Sequence, residues 1–337
     1  MCTTPCPPFV KGERSNTFIL LNMPQNNKPK IIFFGTPEFA AKIFKALLSA
    51  DYSIKVLVAQ PDKPIGRHQT MAPPPTKVLA LKNKIKVLQP SNLKDPVFLA
   101  DLKKLKPDLI ITAAYGKIIP KEILELPKLG AINVHGSLLP KFRGASPIQY
   151  AIWQGVAETG VTIMLMDEIM DHGSILAEEA IRIAPDDTSG TLHDKLADLG
   201  AKLLIKTLPK WLNQELEPQE QDMTQVTYTK ILTRDDGRIN WSKSAVEIER
   251  QIRAFTPWPG SFTELDGKRL KIIKAKITNE PGSKNAGEVF KTASGELAVV
   301  CGEGSLILDK VQMEGKKEVN GKEFLNGYVE MVGKVLK

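Results

Sequence analysis

Ala131-Ile-Asn-Val-His-Gly-Ser-Leu-Leu-Pro-Lys-Phe-Arg-Gly144 starts with the alternation of a strand and ends with the composition of a loop. Asn133 and His135 are interleaved with apolar Ile132 and Val134, a period of two. Residues two apart on a strand share a face, so the amide and the imidazole project together. Gly136 breaks the alternation, and nothing from Ser137 to Gly144 has helical spacing. An amide and an imidazole delivered to the end of a strand beside a Gly-bounded loop predict a reaction centre at the carboxyl edge of an α/β sheet. Asn can donate to a developing oxyanion, and His can carry a proton near neutral pH. The plainer alternative is a structural histidine beside a turn-capping asparagine, since short pairs also arise by chance.

Upstream, strands alternate with short helices. We expect strands over 30–35, 54–59, 85–88, 108–113 and 131–135, and helices over 37–49, 76–83, 95–105 and 120–126. A Pro-rich loop, Gln60–Pro75, interrupts them. This alternation predicts a doubly wound parallel sheet with ligands outside its carboxyl ends. The first turn, Gly35-Thr-Pro-Glu38, lacks the Gly-x-Gly-x-x-Gly of a dinucleotide site, so a nicotinamide cofactor is poorly supported. Downstream we expect helix 146–154, strands 160–166 and 174–183, helix 189–212 and a polar linker at 215–230. Asp171 lies in a polar island, Met170-Asp171-His172-Gly173, after the apolar run 161–166. From Ile231 onward the texture changes to helix 244–255 and short strands (261–265, 270–277, 287–292, 297–300, 305–313) between Gly-rich turns, closed by a short helix at 321–327.

At 337 residues two domains are the better expectation. No apolar run approaches the roughly 20 residues of a membrane span. The net charge of +8 is concentrated: residues 62–106 hold ten Lys or Arg against three acids. Most of these are explained by solvated helix faces, yet such a concentration also suits a polyanionic substrate. Three sparse cysteines (2, 6 and 301) make no disulfide framework and fit a reducing cytoplasm. The four histidines show no metal-ligand spacing, so no metal is expected. Residues 1–29 read as a disordered extension, without the pattern of a secretory or transit signal. Met23 is a candidate alternative start.

Asn-x-His-Gly-Ser-Leu-Leu-Pro-x-x-Arg-Gly with a later Asp-x-Gly resembles the signature of the 10-formyltetrahydrofolate-dependent formyltransferases. The opening Phe-Phe-Gly-Thr-Pro-Glu-Phe-Ala40 and the loop Gln60-Pro-Asp-Lys-Pro-Ile-Gly-Arg67 are similar, more narrowly, to the branch that formylates methionyl-tRNA. The resemblance runs from about Lys30 to near the C-terminus. It implies a Rossmann-like catalytic domain (30–214), a linker (215–230) and a small OB-like β-barrel domain that binds tRNA (231–337). It implies a catalytic centre of Asn133, His135 and Asp171, with 10-formyltetrahydrofolate as co-substrate. The segment Ser137-Leu138-Leu139-Pro140 is similar to the family's folate-contacting segment, and Tyr115 and Gly116 could form the facing wall. Arg67, with Lys63, is implied to meet the tRNA acceptor stem. Lys268, Arg269, Lys271 and Lys274, with Lys276, crowd one strand of the barrel as a cationic face for phosphate. Arg143 is left open between a substrate phosphate and an internal acid.

The chemistry asks little beyond these residues. An α-amino group, with a reference pKa of about 7.7–8.0, is partly neutral at cellular pH and needs a base only for the proton released as the bond forms. Asn133 is expected to donate to the oxyanion, His135 to move protons, and Asp171, if close, to favour the protonated ring or accept a proton through water. Which of the two is the formal base stays open. A sibling enzyme acting on a nucleotide sugar or glycinamide ribonucleotide would share the three residues without needing the Arg67 loop or the basic domain. A non-catalytic RNA-binding protein would not need the three residues. A monomer in a cytoplasm of bacterial type is expected, with organelle import as the alternative.

Overall fold

The computed structural model describes residues 28–65, 69–280, 282 and 285–337. The extension expected over 1–29, with Met23, lies outside them except for its last two residues. Lys28 is buried and ion-paired with Asp51, so it belongs to the fold.

Strand β1 (Ile31–Gly35) is buried at every position, as a strand covered on both faces must be. It turns sharply into helix α1 (Glu38–Ser49): a Cβ on Gly35 would lie 2.6 Å from that of Ala40, so the turn admits no side chain. Phe39, Ala40, Ile43, Phe44 and Leu47 recur at helical spacing along the buried face of α1. Next come β2 (Ile54–Val58), the antiparallel ribbon β3 (Lys63–Ile65) and β4 (Thr70–Ala72), and α2 (Pro75–Lys82). They are followed by β5 (Lys86–Leu88), α3 (Pro96–Leu105), β6 (Leu109–Ala113), the single turn α4 (Lys121–Leu124) and β7 (Ala131–His135). Beyond the site loop lie β8 (Arg143–Gly144), α5 (Pro147–Trp153), β9 (Glu158–Leu165), β10 (Ile175–Arg182) and α6 (Ser189–Leu212).

The main sheet runs β10-β9-β7-β6-β1-β2-β5. Every pairing from β5 across to β7 is parallel, the doubly wound arrangement expected. The order reverses between β1 and β6, which opens a crevice at their carboxyl ends. At the other edge β9 runs antiparallel to β7, and β10 antiparallel to β9. The connection between β9 and β10, residues 166–174, is too short for a parallel crossover of a dozen or more residues. That short return carries Asp171 back to the carboxyl end of β7. Ile132 and Val134 join the core formed by α1 and α6, so Asn133 and His135 face the opposite layer, where Phe98, Leu102, Ile123 and Leu124 pack.

Residues 219–229 bind the segments around β8 and the start of β10 directly. Gln219 and Ile175 exchange backbone hydrogen bonds, and β11 (Tyr228–Thr229) pairs in parallel with β8. The chain then enters α7 (Ala245–Ala254), whose Ser244–Glu247 capping box fixes its start. Strands β12 (Ser261–Leu265), β13 (Lys268–Thr278), β14 (Val289–Lys291), β15 (Leu297–Val300), β16 (Ser305–Met313) and β17 (Val319–Asn320) precede α8 (Gly321–Gly327). They form an antiparallel sheet, β12-β13-β16-β15-β14, with β17 added to β16. Register shifts around Lys274 bend β13, and the sheet curls over Leu270, Ile272, Leu306 and Leu308, against Ile248 and Ile252 of α7. No pairing joins β12 to β14 among the described residues, so this OB-like unit is a half-barrel rather than a closed cylinder.

Candidate active site

The crevice holds a cavity of about 620 Å³, lined by Thr112, Asn133, His135, Gly144, Met164 and Asp171 among others. Asn133 and Thr112 are register neighbours on β7 and β6, and His135 ends β7. His135 is 6% exposed. Its Nε2 lies 3.1 Å from the Phe142 carbonyl oxygen. A carbonyl only accepts, so in this contact Nε2 is the donor and Nδ1 is left to face a second partner. Nδ1 faces Asp171 Oδ1 at 3.6 Å, within reach of an ion pair and just beyond a direct hydrogen bond. The amide, the imidazole and the carboxylate therefore converge on one cavity wall.

Asp171 is held from its far side. Its Oδ2 accepts the Gly144 N–H at 2.8 Å, which leaves Oδ1 toward the histidine. Its backbone sits at φ +51°, in the left-handed region. Gly144 has φ +113°, and a Cβ there would lie 2.4 Å from the Thr229 carbonyl oxygen. Gly144→Ala should therefore destabilise the fold by at least the roughly 1–3 kcal/mol of one strained residue, read by denaturant unfolding. A variant as stable as the parent would show that the β8–β11 contact yields freely.

Tyr115 and Gly116 line the cavity, as expected for a wall. The Tyr115 ring is 2% exposed and stands edge-on to Phe34. Burial pushes its hydroxyl up to about 12, so it stays protonated throughout the working pH range. Ser137-Leu138-Leu139-Pro140 is not among the residues that line this cavity. Ser137 Oγ donates to the Lys141 carbonyl at 2.7 Å, and the Leu139 N–H donates to Thr162 Oγ1 at 3.1 Å. Leu138, Leu139 and Pro140 line a second cleft with Lys141 and Phe142. Arg143 takes neither of its two open roles. It is 1% exposed and donates to Gln221 Oε1 from Nε at 3.1 Å and from Nη2 at 2.7 Å.

Arg67 lies outside the described residues; Lys63 is exposed at the base of the β3–β4 ribbon. The base is fastened by Lys77, which binds both carboxylate oxygens of Asp62 and Gln89 Oε1. The Lys77 ammonium holds the Asp62 carboxyl below its ordinary range, with Gln89 adding to the effect. On β13, Lys268, Arg269 and Lys274 are exposed and Lys271 is half-buried. Arg269 lies over the Phe262 ring at 4.0 Å, whereas Lys276 is engaged by Glu296 and Asp309. The basic strand is thus only partly available to a ligand.

Sequence reasoning missed the apolar mouth. Ile118, Ile169, Met170 and Ile231 line the cavity while staying more than half exposed. Ile169 and Met170 stand just before Asp171 in the sequence, so apolar side chains beside that carboxylate were an available signal. His172, next to Asp171 in the chain, pairs through Nδ1 with Asp167 Oδ2 at 2.6 Å. Among the described residues no His, Cys, Asp or Glu cluster could hold a metal ion, and no helix is long and apolar enough to cross a membrane.

The formyl transferase model matches residues 29–208, and the model of the formyl transferase C-terminal domain matches residues 231–329. The chain is 47% identical over 302 residues to the methionyl-tRNA formyltransferase of Myxococcus xanthus, covering 90% of this chain and 96% of that protein. It is 46% identical over 309 residues to the methionyl-tRNA formyltransferase of Caldanaerobacter subterraneus, covering 91% and 100%. Among solved structures, HypX from Aquifex aeolicus in complex with tetrahydrofolic acid shares the fold, with a TM-score of 0.63 at 15% identity over 91% of this chain and 48% of that one. By both halves of its sequence and across nearly its whole length, the chain belongs to the methionyl-tRNA formyltransferase family of formyl transferases.

Proposed function

We propose that this chain transfers the formyl group of 10-formyltetrahydrofolate to the α-amino group of initiator methionyl-tRNA, in support of translation initiation. The convergence of Asn133, His135 and Asp171 on one cavity carries the proposal. The neutral amine attacks the formyl carbon, and a new C–N bond forms as the carbonyl oxygen takes up charge. Asn133 donates to that oxygen in the tetrahedral intermediate. The His135–Asp171 pair collects the proton from the attacking nitrogen and returns one to the folate nitrogen as its C–N bond breaks. Tyr115 and Gly116 form part of the pterin wall. Names and coverage of the relatives support methionyl-tRNA as the acceptor.

The proposal divides the labour between a catalytic unit (30–214), a linker (215–230) and a tRNA-binding unit (231–337), supported by separate apolar cores in the two halves. All three residues of the centre come from one chain, which supports action as a monomer. The free, buried Cys301 and the bacterial relatives support a cytoplasmic setting.

The test is formylation of charged methionyl-tRNA with 10-formyltetrahydrofolate, against an amino sugar nucleotide and glycinamide ribonucleotide as acceptors. Product on the tRNA alone is expected. Product on a small amine alone would transfer the reading to a sibling enzyme, and none on any acceptor would leave a binding protein. Within this reading, Lys63 and Arg67 meet the acceptor stem, and Lys268, Arg269, Lys271 and Lys274 meet phosphates farther along it. Arg67→Ala should weaken use of methionyl-tRNA by about 1–3 kcal/mol in kcat/KM and leave folate binding intact. Equal damage to both substrates would count against that role.

A further inference from the structure

The stretch 219–229 forms a strap across both loops of the centre. Phe142 N–H donates to Thr227 Oγ1, Arg143 N–H to the Thr227 carbonyl and Ser146 N–H to Thr229 Oγ1, at 2.8, 2.9 and 3.1 Å. One side chain of the strap reaches further in. Gln221 is 8% exposed, and its amide is fully used. Oε1 accepts both bonds from Arg143, while Nε2 donates to the Asp171 carbonyl at 3.0 Å and the Gly173 carbonyl at 2.7 Å. The guanidinium can only donate and the carbonyls can only accept, so the orientation of the amide is fixed by its neighbours.

We infer that Gln221 is a positioning residue for Asp171. Asp171 occupies a left-handed backbone conformation that a non-glycine residue holds only when its surroundings impose it. Two restraints do so: the Gly144 N–H on its carboxylate, and the Gln221 amide on its own carbonyl and that of Gly173. Arg143 acts one step behind, holding the amide that holds the loop. Gln221 does not line the catalytic cavity and touches Asp171 only through the backbone. Its loss therefore moves the carboxylate relative to His135 without removing any chemical group from the centre.

Gln221→Glu separates these roles. The new carboxylate still satisfies Arg143, now as an ion pair, but it loses both N–H donors and turns an oxygen toward two carbonyls. The inference rests on the formyl-transfer reading, so two readouts are needed. By hydrogen exchange, a substrate-free measurement, amides of residues 169–174 should open faster in the variant while β1 and β6 keep their protection. In steady-state formylation, kcat should fall by up to about 10²-fold, the cost of a small misplacement of a catalytic group, with KM for folate and tRNA essentially unchanged. If the glutamate is not tolerated, Gln221→Met combined with Arg143→Met removes polar partners together, which a buried site accepts more readily than an orphan. The same pair of results is then expected. Parental kcat with parental exchange overturns the inference. So does protection lost throughout the sheet, or a loss carried by KM alone. A parental enzyme inactive on methionyl-tRNA would instead refute the proposed function, whatever the exchange shows.

Discussion

Asp171→Ala lowers kcat for formyl transfer by about 10²–10⁴-fold, the range of a positioned acid–base group, in a protein that still folds. The carboxylate is the only acid facing His135 Nδ1 in the ion pairs described, at 3.6 Å, and it lies within a return loop rather than within the sheet. Removing it takes away the negative charge that faces Nδ1 and leaves the Gly144 N–H without its acceptor. Asp171→Asn resolves those effects, because its amide oxygen can keep the Gly144 bond while the negative charge is gone. A large loss in both variants assigns the effect to charge; a loss confined to alanine assigns it to position. Undiminished single-turnover product from the folded alanine variant would remove the carboxylate from the mechanism.

Asn133→Ala is the second large effect, about 10²–10³-fold in kcat, or roughly 2.7–4 kcal/mol for one lost oxyanion donor. The strand survives the change, since β7 is anchored by Ile132 at 0% and Val134 at 2% exposure. A donor used only when the carbonyl oxygen becomes charged contributes nothing to ground-state binding, so KM for both substrates should hold. A raised KM with parental kcat would show that Asn133 binds substrate and does not stabilise the intermediate.

Much of this centre was readable from the chain. Residues 131–135 announce their strand and its polar face because Ile132 and Val134 leave one register in which both are buried. The long helix at 189–212 was likewise legible, and in the structure Thr188 caps its start. What escaped depended on relations that hydrophobic period does not encode. Period two marks a strand but not its direction, so the antiparallel return of β9 and β10 was invisible. The ribbon β3–β4 hid in a Pro-rich loop because each strand is three residues long. Ser137–Pro140 reads as an apolar wall, but the bond from the Leu139 N–H to Thr162 Oγ1, distant in sequence, is not legible in that segment. The polar run before Ile231 reads as a linker because it lacks apolar spacing, a pattern that is silent about side-chain contacts. Its Gln221, Thr227 and Thr229 bond the backbone of Phe142, Ser146, Asp171 and Gly173.

That lacing sets a limit on how the two halves can be exchanged between relatives. A chimera joined near residue 214 would bring the donor protein's own Gln221, Thr227 and Thr229 equivalents onto a foreign pair of loops. A junction placed after Thr229 would keep the native stitching with the native carboxylate.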